Sequence, residues 1–242
     1  MADRALPTVL IVGASRGIGL ELARAYAPHA RVFGTVRDAQ SPGELARVPG
    51  VSVRSLDVRN STQLAALARE FDAKSATVDL LVHSAGVNRG TYDEQRLINA
   101  EAPFAVISSL MPAVMRSSRP RIAVLTSDLG TSARDNWRRR QACGDKSACD
   151  DFVRECKFVP ICAYSLTKLS ANNRLRALEP TWRARGVTAV ALQPGHVRTD
   201  MNSGKGRISA RESARGLRRV LDGLTPSSAG KFLDWRGREL PW

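Results

Sequence analysis

Aromatic residues are scarce, only 5% of the 242 positions, which leaves little material for stacking the bases of a nucleic-acid strand. Long apolar runs are missing too. No stretch reaches the roughly 18 apolar residues of a membrane-spanning helix, so no span is expected. Acidic residues are outnumbered, 23 against 37 Lys and Arg, leaving a net charge of +14. A surplus of that size attracts nucleic acid, anionic membrane or anionic small molecules. The basic residues are scattered, however. The densest run is Arg138-Arg139-Arg140, and nothing resembles a charged tail, so the charge reads as solvated helix faces and nucleic acid is not expected as a partner. Internal repeats and low-complexity segments are absent. The opening stretch MADRALPTVLIVG lacks the basic and long apolar regions of a signal peptide, and a cytoplasmic location is expected. The four cysteines all fall between Cys143 and Cys162, with Cys149 and Cys156 between them. Their C-x5-C-x6-C-x5-C pattern lacks the tight first pair of zinc modules, and cytoplasm disfavours lasting disulfides. Small buried hydrophobes are the expected state, with disulfide pairing and zinc as the alternatives.

What is present is an alternation. Val/Ile/Leu-rich runs at 8–13, 31–37, 51–57, 78–86, 121–127, 187–195 and 231–235 read as strands. Between them, 17–27, 61–71, 103–116, 164–186 and 210–224 carry helical periodicity. Continuous apolar strands separated by helices imply a parallel sheet covered on both faces. The expected fold is one doubly wound, Rossmann-type α/β domain over 1–242 with about seven strands. Residues 131–162 fit neither pattern and read as an insertion.

Two motifs carry chemistry. TVLIVGASRGIG places Gly13, Gly17 and Gly19 after a strand and before a helix. A turn that must be tight, approach a pyrophosphate closely and offer free helix N–H groups needs such residues. The spacing is G-x-x-x-G-x-G rather than G-x-G-x-x-G. YSLTK then sets Tyr164 and Lys168 one helical turn apart, with Cβ atoms about 5–6 Å from each other. A phenol has a pKa near ~10 and is a poor acid or base at neutral pH; a neighbouring cation is expected to lower it.

With these motifs the chain resembles the short-chain dehydrogenase/reductase family over nearly its whole length. Asp57-Val58 follows the third strand, where the family sets an Asp against adenine. His83-Ser84-Ala85-Gly86 ends the fourth, in place of the usual Asn-Asn-Ala-Gly. Asn99 in LINAEAPF, Ser127 in VLTSDLG, and Tyr164 with Lys168 match the catalytic set. Pro194, Gly195, Val197 and Thr199 in QPGHVRTDM match the loop after the sixth strand. The tail GKFLDWRGRELPW is similar to the C-factor and sniffer-type carbonyl reductases.

The resemblance implies a dinucleotide held by Gly13, Ser15, Arg16, Gly17, Ile18, Gly19, Arg37, Asp57, Val58, Ser84, Ala85, Gly86, Tyr164, Lys168 and the Pro194–Thr199 loop, with no metal. NADP is expected over NAD: Arg37 and Arg16 suit a 2′-phosphate, whereas Asp38 is the acid that would select NAD. The implied reaction is hydride transfer between nicotinamide and a ketone, aldehyde or secondary alcohol. Tyr164 would be the acid or base, Ser127 would hydrogen-bond the substrate oxygen, and Asn99 would hold a relay water. An imine or ring reductase and a non-catalytic NADP-sensing regulator are the alternatives. His83 is expected to brace the sheet through hydrogen bonds or to bring a titrating group near the nicotinamide. The insertion is expected to form a partly helical lid that leaves the protein a monomer or homodimer. Its arginines suggest an acidic substrate, offset by Asp145, Asp150, Asp151 and Glu155. Trp235 is expected in the core, and Trp242 tucked back against the fold.

Overall fold

The computed structural model describes residues 6–131 and 159–242. The expected lid, its oligomeric consequence, its charges and three of the four cysteines lie outside them. Cys162, at the edge, is disulfide-bonded, so at this position the expectation of a free buried thiol gives way to the alternative.

Strand β1 (Thr8–Val12) leads through the glycine turn into helix α1 (Gly17–Tyr26), then β2 (Arg31–Val36), β3 (Val51–Ser55), α2 (Ser61–Ala73) and β4 (Leu80–His83). A five-residue helix α3 (Tyr92–Arg96), a π turn (Leu97–Glu101) and α4 (Ala102–Met115) follow. Strand β5 (Arg121–Leu125) precedes α5 (Val159–Arg183). Then come β6 (Thr188–Gln193), a short parallel pair β7 (Val197–Arg198) and β8 (Ile208–Ser209), helix α6 (Ala210–Asp222) and β9 (Phe232–Asp234).

Seven strands form one parallel sheet in the order β3-β2-β1-β4-β5-β6-β9. Strands β1 and β5 are buried along their full length, as two covered faces require. On one face Leu10, Leu81 and Ile122 pack with Phe104, Ile107 and Leu175 from α4 and α5. On the other, Ile11, Val82 and Val190 pack with Leu22 from α1 and Leu217 from α6. The chain order reverses between β1 and β4. A crevice for a ligand opens outside the strand C-termini at such a switch point.

Among the described residues, Tyr92–Met115 is long and apolar enough by composition to cross a membrane, but most of it is buried within the fold. Its apolar character is that of a core helix lying on the sheet. At the chain end Trp242 tucks back against Phe232, ring centroids 5.4 Å apart. Trp235 sits half-buried where Gly195 and Gly216 leave no room for a Cβ beside its indole.

Helix ends differ in a telling way. Asn60 caps α2 and Ser209 caps α6, each accepting a backbone N–H, and Thr91 with Glu94 makes a reciprocal capping box on α3. Helix α1 has no side-chain cap and no acid in its first turn. Its leading N–H groups are left for another acceptor.

Candidate active site

The glycine turn is a main-chain cradle. Gly13 has φ +84°, and a Cβ there would lie 2.7 Å from the Ala85 backbone. A Cβ on Gly19 would strike the Gly13 carbonyl. The backbone N–H of Gly13 donates to the buried Thr35 hydroxyl at 3.0 Å, and that of Ala14 to the Thr35 carbonyl at 2.8 Å. Ser15 and Arg16 are exposed, and Ile18 packs on the core. A residue larger than glycine would fill the cradle, so the turn fits a closely approaching pyrophosphate at the uncapped start of α1.

Arg16 was a candidate for the adenosine phosphate. Its exposed guanidinium pairs with Asp200 at 3.3 Å, in the loop after β7. Nearby, Asn88 donates to the Met201 carbonyl at 2.7 Å and Arg89 to the Ser203 hydroxyl at 3.2 Å. These contacts draw the loop after β7 toward the ends of β1 and β4. Thr199 in that loop approaches Gly17, Val197 is buried in β7, the Pro194 carbonyl accepts from Ser213 at 2.6 Å, and Gly195 has φ +88°.

At the other end of the crevice, Arg37 is exposed just past β2. One carboxylate oxygen of exposed Asp38 accepts the Gln40 N–H at 2.9 Å. Asp57 is gripped by Arg59, which was not foreseen. The Arg59 guanidinium reaches both carboxylate oxygens, at 3.0 and 2.6 Å, and its backbone N–H donates at 3.0 Å. These bonds, with Arg37 nearby, hold Asp57 below the usual carboxylate range. Val58 packs against the core beside it.

The proton-handling end is buried. Ser84 is half-buried, and its backbone continues β4 by donating to Val12 at 2.8 Å. Gly86 matters for room: a Cβ there would sit 3.2 Å from Asn99 Oδ1 and 3.6 Å from Lys168 Nζ. Lys168 is only 5% exposed and donates to the Leu125 carbonyl at 3.1 Å. Burial depresses its pKa to about 8. Tyr164 is half-buried with the Lys168 ammonium 5.6 Å from its ring centroid. Ser127, two residues past β5, lies beside Tyr164 and acts to lower its pKa. The Ser127 oxygen also accepts the Leu129 N–H at 3.1 Å.

Three expectations concern this buried end. The Tyr164 pKa is raised in this structure, not lowered. Burial and the negative charge of Asp128 push the phenol up to about 12, against the lowering influence of Ser127. Desolvation of the phenol itself is the largest influence here, and the Lys168 ammonium donates to the Leu125 carbonyl. Second, the Asn99 side chain is already committed. Its oxygen accepts the Val87 N–H at 2.9 Å, and its amide donates to the Val87 carbonyl at 2.7 Å and the Thr167 hydroxyl at 3.0 Å. Asn99 thus fastens the π turn to the end of β4, and a relay water would need a backbone group. Third, among the described residues neither ring nitrogen of His83 has a hydrogen-bond partner. Burial, and secondarily Lys168, push its pKa down to about 3, so it stays neutral and fills space without bracing the sheet through hydrogen bonds.

A clamp that sequence reasoning missed holds this end together. Asn172 accepts from Thr126 at 2.7 Å and donates to the Gly130 carbonyl at 3.1 Å. Ser165 donates to the Leu129 carbonyl at 2.6 Å. Gly130 lies so close to α5 that a Cβ would sit 2.5 Å from the Lys168 backbone. The available signal was a row of small polar residues, Ser165, Thr167 and Asn172, on a helix that also buries Lys168 and Glu179.

The short chain dehydrogenase family model matches residues 7–158. The C-signal protein of Myxococcus xanthus is 31% identical over 175 residues, covering 68% of this chain and 93% of that protein. A Pseudomonas aeruginosa carbonyl reductase, solved in complex with NADP, aligns at 25% identity and TM-score 0.75, covering 98% of this chain and all of that one. The Sniffer carbonyl reductase of Drosophila melanogaster shares the fold, with TM-score 0.82, 19% identity and coverage of 98% and 100%. Cradle, buried lysine, half-buried tyrosine and strand-end serine thus occur in a chain that belongs to the short-chain dehydrogenase/reductase family of oxidoreductases.

Proposed function

We propose that the protein is an NADP(H)-dependent carbonyl reductase, able to run in reverse on a secondary alcohol. The observation that carries this reading is the meeting of Ser127 and Tyr164 in one enclosed site beside the buried Lys168. The cofactor, when bound, supplies or accepts the hydride. The glycine cradle and the uncapped start of α1 would hold its pyrophosphate. Arg37, with Asp38 turned onto its own loop, supports a 2′-phosphate over a bare ribose hydroxyl.

The remaining chemistry belongs to the side chains. Ser127 donates a hydrogen bond to the substrate oxygen and orients it. Tyr164 gives that oxygen a proton as negative charge develops on it, so the carbonyl becomes an alcohol. Lys168 would bind the nicotinamide ribose and return a proton toward the phenol. The enclosed setting strengthens each of these interactions relative to water. A phenol raised to about 12 remains a proton donor at neutral pH and suits reduction. Removal of such an acid typically costs ~10²–10⁴-fold in rate, and Tyr164→Phe is expected to fall in that range when NADPH consumption is followed over a panel of ketones and aldehydes. NADPH binding without turnover on any substrate, by either protein, would instead favour the non-catalytic sensor.

A further inference from the structure

We infer that Arg59 is a positioning residue for cofactor selectivity: by holding Asp57 it leaves Arg37 available for the 2′-phosphate. The inference rests on the NADP reading above and deepens it. Strands β2 and β3 run parallel with Val36 opposite Ser55, and the Leu56 N–H continues the ladder to the Val36 carbonyl at 2.7 Å. Arg37 and Asp57 therefore leave the sheet side by side, and the Arg37 charge acts on the Asp57 carboxylate. Left to themselves they would pair. An arginine paired with a carboxylate has spent the fork that would grip a phosphate.

Arg59 prevents that pairing by occupying Asp57 first. It approaches through Nε and Nη2 in the two-point geometry that a guanidinium offers a carboxylate. Its own N–H adds a third bond. Asp57, Arg59, Asn60 and Ser61 line an open cavity of about 420 Å³ next to this pair. Asp57 and Arg59 together contribute no net charge, so Asp57 exerts little pull on Arg37. Without Arg59 the Asp57 charge would be uncompensated and would draw Arg37 onto it.

The test compares 2′,5′-ADP and 5′-AMP binding to the cofactor-free protein by calorimetry, followed by KM for NADPH and NADH. Arg59→Leu should cut the preference for 2′,5′-ADP at least fivefold, and its effect should fall on the KM for NADPH more than on kcat. Adding Asp57→Asn to Arg59→Leu should restore the preference, because nothing then captures Arg37, and Arg59→Lys should retain part of it. A thermal melt checks that each variant is folded. If the unaltered protein shows no preference for 2′,5′-ADP, the cofactor reading fails and takes the inference with it. A preference that survives Arg59→Leu, or is not restored in the double variant, overturns the inference alone.

Discussion

The two ends of the crevice are built from opposite materials. The adenosine end is exposed and charged: Arg37, Asp38 and Arg59 lie at the surface, and Asp38 and Arg59 make local pairings two residues away. The proton-handling end is buried and largely uncharged. Asn99, Thr167 and Asn172 are at most 3% exposed, and their partners come from three separate elements of the chain. Charges in water are screened and worth little individually. Buried polar groups cost a great deal when a partner is lost. The adenosine end should therefore yield gradually to substitution and to salt, and the proton-handling end should fail all at once.

The sharpest way to break this comparison is at Asn172. Asn172→Ala leaves the Thr126 hydroxyl and the Gly130 carbonyl without their partner, and about 2–4 kcal/mol of stability should be lost. Chemical denaturation would measure it; a loss below half a kcal/mol, on the ~0.5 kcal/mol scale of ordinary surface substitutions, would mean that the clamp is not what holds the site. A smaller effect belongs to Arg37→Ala, which should raise KM for NADPH about tenfold, equivalent to ~1.4 kcal/mol, and the penalty should shrink as salt is added. Salt-independent loss there would place Arg37 in a dry environment and erase the contrast. The smallest effect concerns Asp128. Its negative charge raises the Tyr164 pKa, so Asp128→Asn lowers it. A proton donor works below its pKa, so the alkaline limb of the reduction rate should move to lower pH. A limb that stays in place, followed in a pH–rate profile, would remove Asp128 from control of the phenol.

The same contrast explains what could be read in advance. Gly13, Gly17 and Gly19 announce themselves because few residues tolerate a positive φ or a backbone approach of that kind. The central strands are legible because burial on two faces leaves mostly Val, Ile, Leu and Ala. Tyr164 and Lys168 stand out by spacing alone. The clamp did not, because Ser165, Thr167 and Asn172 are residue types that also populate any solvated helix face; only the fold shows what they face. The π turn at Leu97–Glu101 has no pattern of its own, so the helix was expected to begin at 103 and α3 went unnoticed. The phenol's pKa was misjudged because spacing reports proximity and says nothing about hydration. Arg59 was passed over because a pairing two residues apart resembles ordinary surface charge until its neighbour across the sheet is seen.

The contact of Gly130 with α5 has a last consequence. Because no side chain separates that loop from the helix backbone at Lys168, the gap between the strand carrying Ser127 and the helix carrying Tyr164 is a main-chain dimension. It does not depend on which side chains line the mouth of the crevice. Those rim positions are thereby free to drift toward new substrates while the reacting groups keep their spacing, so the protein can change what it accepts without relearning how to react.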